Sequence, residues 1–336
     1  MTRRLHRTLL ACLVGAGIAA CSAAPSGRQA VPYAPPAAKK KASGTLYVAN
    51  QRGVTVYAVG SSTVLRKISG VSPIALALDA SGNLYVGNAP PGTLNDTVNV
   101  YAPDGTLIRK IPGVHLPNSL AFDSTGNLYV SNTAVDTVTV YAPGSASALR
   151  SITDGIGGIK QIAFDAAGNL FVGNNRFDNI TVYAPGSTTV LRAVSKGLFG
   201  PLGLAFDHAG NLYAGDNIGA NVYAKGKNIL LRWCHAGAGL SSGLALDAAD
   251  ALYVENWGNG AADSSVTVYA PGSAKLIRTI SEGVNDPLGL AFDPGGNLYV
   301  ANHGSNTVTV YAPGKTEPLR TISQGVKAPL ALLIGP

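Results

Sequence analysis

An all-β body of seven four-stranded units, closed into a ring by its own last strand, is the fold that three observations predict. The first is a short element, Leu-Tyr-Val or a near copy, that begins at Leu46, Leu84, Leu128, Leu170, Leu212, Leu252 and Leu298. The second is the company it keeps. Each copy is followed by an element ending near Tyr57, Tyr101, Tyr141, Tyr183, Tyr223, Tyr269 or Tyr311, and then by one carrying Arg66, Arg109, Arg150, Arg192, Arg232, Arg278 or Arg320. A further element ends in Asp79, Asp123, Asp165, Asp207, Asp247 or Asp293, and these aspartates are 44, 42, 42, 40 and 46 residues apart. The third is a complementarity of ends. The body starts at Gly-Thr-Leu-Tyr-Val-Ala-Asn without an Asp-terminated element before it, and the sequence stops at Pro-Leu-Ala-Leu-Leu-Ile-Gly-Pro, such an element with nothing after it.

Each element is short, rich in β-branched and aromatic residues, and bounded by Gly, Pro, Asn or Asp, which is the pattern of strands joined by turns. No segment sustains a helical period. A repeat of about 40–45 residues with four strands fits one blade of a β-propeller, and seven copies make a seven-bladed one. Residues 329–334 are then expected to pair beside residues 46–48 and to complete the first blade. The stretch Pro-Leu-Gly-Leu-Ala-Phe-Asp-Pro-Gly-Gly-Asn-Leu-Tyr-Val-Ala-Asn-His-Gly-Ser-Asn-Thr-Val-Thr-Val-Tyr-Ala-Pro-Gly, residues 287–314, resembles the NHL-repeat and YVTN-repeat propellers. It is more distantly similar to gluconolactonase-type and streptogramin-lyase-type propellers. The resemblance covers residues 44–336 and implies the fold. It does not imply one activity, because such folds host enzymes, scaffolds and surface proteins.

Residues present in every unit are expected to build it. In Asp293–Asn297 the Asp accepts a backbone N–H, Pro294 suits the next turn position and Gly296 takes a positive φ. Asp250 stands where the other units have glycine, and Asp tolerates that conformation better than most residues. These aspartates read as turn residues rather than calcium ligands. The tyrosines are expected to pack blade against blade. The arginines are expected on outer strands, with packed stems and exposed heads.

The N-terminus carries a different message. Arg3, Arg4 and Arg7 precede an apolar run of twelve residues, Leu9 to Ala20, too short for a bilayer span of ~20 residues and suited to a signal peptide. It ends Ile-Ala-Ala-Cys, which resembles the bacterial lipobox. The resemblance implies a signal peptide over 1–20, cleavage before Cys21 and lipid attachment at Cys21. Residues 21–43, rich in Pro, Ala and Lys, read as a flexible tether. The expected location is therefore outside the cytoplasm, lipid-anchored in the cell envelope, in the periplasm or on the outer surface. Seven of the 25 lysines and arginines precede residue 44, leaving 18 to balance the 18 acids of the body. A neutral body lacks the cation surplus that displaces phosphate counterions, so nucleic acid is not an expected partner. Cys12 lies in the signal and Cys21 at the lipid site, leaving only Cys234 in the body and no disulfide there.

Candidate binding residues lie where the repeat breaks. The loops between second and third strands and the blade-to-blade links share one face, vary most, and ride on a rigid scaffold. The position after Leu-Tyr-Val is Ala49, Gly87, Ser131, Gly173, Gly215 and Ala301, but Glu255 in the sixth blade, with Trp257 close behind. His303 on the seventh blade, His235 after the fifth, and Arg176 and Phe177 on the fourth complete the set. A carboxylate, aromatics and imidazoles on one rim suit ligand binding or acid–base work. The lactonase-type relatives imply a divalent metal with carboxylate and asparagine ligands, and the lyase-type relatives a His and a Glu on neighbouring blades, which Glu255 and His303 match loosely. The body has only Glu255, Glu282 and Glu317 as glutamates. The asparagines after Leu-Tyr-Val (Asn50, Asn88, Asn132, Asn174, Asn256, Asn302, with Asp216 in the fifth blade) recur too regularly for one catalytic site. No His-Glu-x-x-His, nucleophile elbow or His–Cys metal spacing occurs. The expectation is therefore a scaffold that binds an envelope protein, peptide or glycan, with no catalytic residue, metal or cofactor. The alternative is a lactonase-like or lyase-like enzyme acting on a small cyclic substrate.

Overall fold

In the computed structural model, residues 44–235, 240–258 and 262–335 are described, residues 240–242 by their backbone alone. The signal peptide, Cys21 and the tether expected over 1–43 lie outside the described residues. Seven antiparallel sheets of four strands form the ring. Blade 1 runs Ala331–Gly335, Thr45–Asn50, Gly53–Ala58 and Val64–Ser69 from the inside outward. Blade 2 runs Pro73–Leu78, Leu84–Asn88, Thr97–Tyr101 and Leu107–Ile111. Blades 3 to 7 repeat that order over 117–152, 159–194, 203–234, 240–280 and 287–322. The chain-terminal strand pairs as expected, with Leu46 opposite Ile334, Tyr47 opposite Leu333 and Val48 opposite Leu332. Among the described residues, no helix is long and apolar enough to cross a membrane.

Local chemistry explains the repetition. Asp79 Oδ1 accepts the N–H groups of Ser81 and Asn83, both at 2.9 Å, and Asn83 Nδ2 donates to Asp79 Oδ2 at 2.8 Å. Asp123, Asp165 and Asp293 hold their hairpins in the same way. Gly82, Gly126 and Gly296 supply the positive φ that closes each turn, and Asp250 takes their place at φ +63°. Burial pushes the Asp123 carboxyl up, but the hydrogen bonds from Asn127 and Thr125 outweigh it and leave it below the usual range.

The core consists of seams between blades. Tyr85 meets Phe122 of the next blade edge-on at 5.0 Å, and the pairs Tyr129–Phe164, Phe171–Phe206 and Tyr253–Phe292 repeat the contact. The third-strand tyrosines reach back to the links. Tyr57, Tyr223 and Tyr311 donate to the carbonyls of Gln324, Lys196 and Glu282 at 2.6–2.7 Å. Burial raises their hydroxyls, Tyr57 to about 12. The arginine heads differ from expectation. They fold over a tyrosine of the second strand: Arg109, Arg150 and Arg278 donate to Tyr85, Tyr129 and Tyr253 at 2.7–2.8 Å and sit 5.7–5.8 Å from the ring centroids. The hydroxyl gives each guanidinium an acceptor that solvent need not supply, while the ring face attracts its charge. Blade 4 has Phe171 in place of the tyrosine, so Arg192 keeps the ring contact and loses the hydroxyl.

Candidate functional site on the loop face

Loops that vary in sequence are nonetheless fastened by a constant device. In blades 2, 3, 4, 6 and 7 a side chain of the second-to-third loop accepts an N–H of the following link. Asp96 takes Leu116 and Asp136 takes Gly158, both at 2.6 Å, while Asp178 takes Gly200 and Asn306 takes Ala328 at 2.7 Å. Ser264 takes Asp286 at 3.0 Å. Asp136, Asp178 and Asn306 adopt positive φ to reach their donors. The recurrent asparagines fasten the other side of each link. Asn50, Asn88, Asn132, Asn174 and Asn302 accept the N–H groups of Lys327, Ser72, His115, Gly157 and Asn285 at 2.7–3.1 Å. Links and loops are thus held as one surface.

Asp216 is the acid in this asparagine series. It is buried, and it accepts from Phe199, Ile218 and Asn221. Burial pushes its carboxyl above the usual range, and the hydrogen bonds from Ile218, Phe199, Asn221 and Gly219 offset only part of that. A raised folded-state value means the native chain holds this proton more tightly than the unfolded chain. The contribution is therefore complete below the unfolded value of about 3.9 and is lost as pH rises through the folded one. Blade 1 has the same two-residue turn with Asn50 and Thr55, joined at 3.0 Å. The variant Asp216→Asn/Asn221→Thr should copy it. It is expected to melt above the parent at pH 7, with the gap closing below about pH 4. A gap independent of pH in paired melts would refute the assignment.

Large apolar side chains project from this fastened surface. Leu94, Val135, Phe177, Phe199 and Trp257 are all exposed, Leu94 to 91 %. The Phe177 ring lies over Gly157, where an added Cβ would come within 2.5 Å of it. Arg176 pairs with Asp136 of the neighbouring blade at 2.6 Å. On the ring axis, the inner-strand starts enclose a cavity of about 310 Å³ lined by Ile74, Asn118, Lys160, Leu202, Leu288 and Leu330. Among the described lining residues Lys160 carries the one charge, and most of the others are apolar. The sequence reading missed it because the inner-strand starts look alike until the ring brings them together.

The other expected site residues are placed as follows. Trp257 is exposed at the end of its strand, and His303 is half-buried, its N–H donating to the Asp286 carbonyl at 3.1 Å. The His235 ring stacks on Trp233 at 5.3 Å and bonds the Ile218 carbonyl, so it is committed to blade 5. Cys234 is buried, and burial pushes its thiol up to about 11. Glu255 is 2 % exposed and turns into its own blade. A Cβ on Gly243 of the inner strand would lie 2.7 Å from the Glu255 carboxylate. The side chain thus fills the space that glycine leaves. Gly243→Ala is expected to destabilise by about 1–3 kcal/mol. Glu255→Ala in the same chain should recover most of that loss in a thermal-melt cycle. Additive effects would show that the two positions do not touch.

The NHL repeat matches residues 284–311 of this chain. No curated protein matches it. Solved structures share the architecture, two among them as follows. A functionally unknown protein from Desulfotomaculum acetoxidans DSM 771 superposes with TM-score 0.71 at 11 % identity, over 87 % of this chain and 99 % of its own. A protein from Lactobacillus plantarum does so with TM-score 0.70 at 17 % identity, over 88 % and 99 %. At such identities the likeness defines the fold: a seven-bladed β-propeller carrying an NHL repeat.

Proposed function

We propose that this chain is an exported, lipid-anchored interaction scaffold of the cell envelope that grips a protein, peptide or glycan with its loop face. The observation that carries the reading is the apolar set Leu94, Val135, Phe177, Phe199 and Trp257, exposed on backbone clamped by hydrogen bonds. A surface ordered before contact loses little entropy on binding, and exposed aromatics are the usual anchors of such contacts. The Ile-Ala-Ala-Cys sequence ending at Cys21 supports the anchor. The lactonase-like or lyase-like reading has less support. Among the described residues, no group of three or more His, Cys, Asp or Glu gathers as a metal site would.

The test is capture from native envelopes with the parent chain and with Phe177→Ser/Phe199→Ser/Trp257→Ser. A partner enriched on the parent and lost on the variant is expected, with Tm changed by no more than about 2 °C because the residues are exposed. Equal recovery on both would remove the loop face from the function. The anchor is tested by Cys21→Ser, which should move the chain from the membrane to the soluble fraction.

A further inference from the structure

A cavity of about 180 Å³ lies at the seam where the two ends of the ring meet, with Arg52, Lys67 and Lys327 around Asn50, Thr55 and Gly325. Three of the lining side chains are cations and none is a carboxylate. The two ion pairs among the described residues are elsewhere, Arg176–Asp136 and His208–Asp250. In a body of balanced formal charge, three unpaired cations in one pocket repel each other and draw an anion. The arrangement is peculiar to the seam. The positions matching Lys67, each one past the strand arginine, are Lys110, Ser151, Ala193, Trp233, Thr279 and Thr321. Those matching Lys327 are Ser72, His115, Gly157, Phe199 and Asn285, which donate to the same asparagine series. Among the described residues, only the seam has a lysine at both.

The pocket spans the two chain ends. Arg52 lies in the turn between Thr45–Asn50 and Gly53–Ala58 and Lys67 on the outer strand Val64–Ser69, both of blade 1, and Lys327 lies in the link that delivers the last strand. The Lys327 N–H donates to Asn50 Oδ1 at 2.9 Å, the Gln51 N–H to the Lys327 carbonyl at 3.2 Å, and Thr55 Oγ1 to the Gly325 carbonyl at 2.7 Å. We propose that this pocket binds a phosphate group, free or on a lipid headgroup, and that the bound anion strengthens closure of the ring. Tetrahedral oxyanions offer enough acceptors for a guanidinium and two ammonium groups at once. An anion held only by the closed ring stabilises it by mass action. The inference is independent of the loop-face reading, since it uses none of those residues.

The test is the melting of the full-length chain in neutral detergent, with inorganic phosphate replacing chloride at constant ionic strength. A saturable rise of roughly 3 °C is expected at ten times the dissociation constant. It should vanish in Arg52→Gln/Lys67→Gln/Lys327→Gln and persist in Lys110→Gln. Should the triple variant fold poorly, each single variant should weaken the phosphate midpoint by several-fold. No rise, a rise that never saturates, or an equal rise in the triple variant would overturn the proposal. Flotation of the Cys21→Ser chain with phosphatidylcholine vesicles, with and without phosphatidate, then separates the sources. Phosphatidate-dependent flotation lost in the triple variant assigns the headgroup. A saturable thermal shift without flotation assigns free phosphate.

Discussion

Deletion of residues 329–336 is expected to lower the melting temperature by more than about 10 °C and to broaden the transition. The last strand holds five register pairs with Thr45–Ala49, and the Leu330 N–H donates to the Ala49 carbonyl at 2.8 Å. Leu332 and Ile334 pack on Leu46, Val48 and Tyr57, all fully buried, while Leu333 packs on the seam with blade 2. Without it, Thr45–Asn50 becomes an unpaired edge and these side chains meet water. At about 1.5–3 kcal/mol for each large apolar side chain, the loss is a large part of the 5–15 kcal/mol that holds most domains folded. Circular dichroism melts of the parent and the truncated chain decide the matter. A truncated chain melting within 2 °C of the parent would mean that the ring does not depend on this closure. Leu332→Ser/Ile334→Ser should reproduce much of the loss with the backbone intact.

Gly219→Ala is expected to cost about 2–4 kcal/mol, a drop of several degrees in Tm. Gly219 ends the two-residue turn of blade 5 at φ +156°, and a Cβ there would lie 2.5 Å from the Cys234 carbonyl oxygen. Gly53 has the same role in blade 1, at φ +151° and 2.5 Å from the Ile68 oxygen. Both turns are too short to relax, because the outer strand is already paired on the far side of each glycine's strand. Gly53→Ala should match Gly219→Ala. Gly173→Ala is the control: its φ is not positive, and the nearest atom to its Cβ would be 3.5 Å away, so it should melt within about 2 °C of the parent. Equal effects at all three positions would dismiss the close backbone approach as the cause.

Much of the architecture was legible because a propeller blade is a local object. Strands adjacent in sequence pair with each other, turn residues recur at fixed offsets, and the missing first strand of blade 1 has its counterpart at the C-terminus. The role of the Asp-x-x-Gly-Asn turn, including Asp250 in the glycine position, follows from side-chain reach within five residues. The candidate site was less legible. Trp257 and Phe177 were found as departures from the repeat, and both are exposed. Glu255 departs from it just as clearly yet is buried, since alternation along a strand does not tell which small residue of the inner strand leaves room beside it. The placement of the arginine heads is hidden in the sequence for a similar reason: their acceptor lies two strands inward, 21–25 residues earlier in the chain.

The sequence by itself determined the number of blades, their strand order, the turns and the closing strand, because each depends on contacts between neighbours in the chain or on the repeat itself. It also determined the neutrality of the body and the N-terminal signature ending at Cys21. Tertiary structure alone decided which side chains share a space. Among the described residues, the axial cavity with Lys160 is lined from six blades, and the cationic pocket joins Arg52 and Lys67 to Lys327 across nearly the whole chain. Closing a ring sets residues of remote sequence position side by side, and no periodicity in the sequence records that distance.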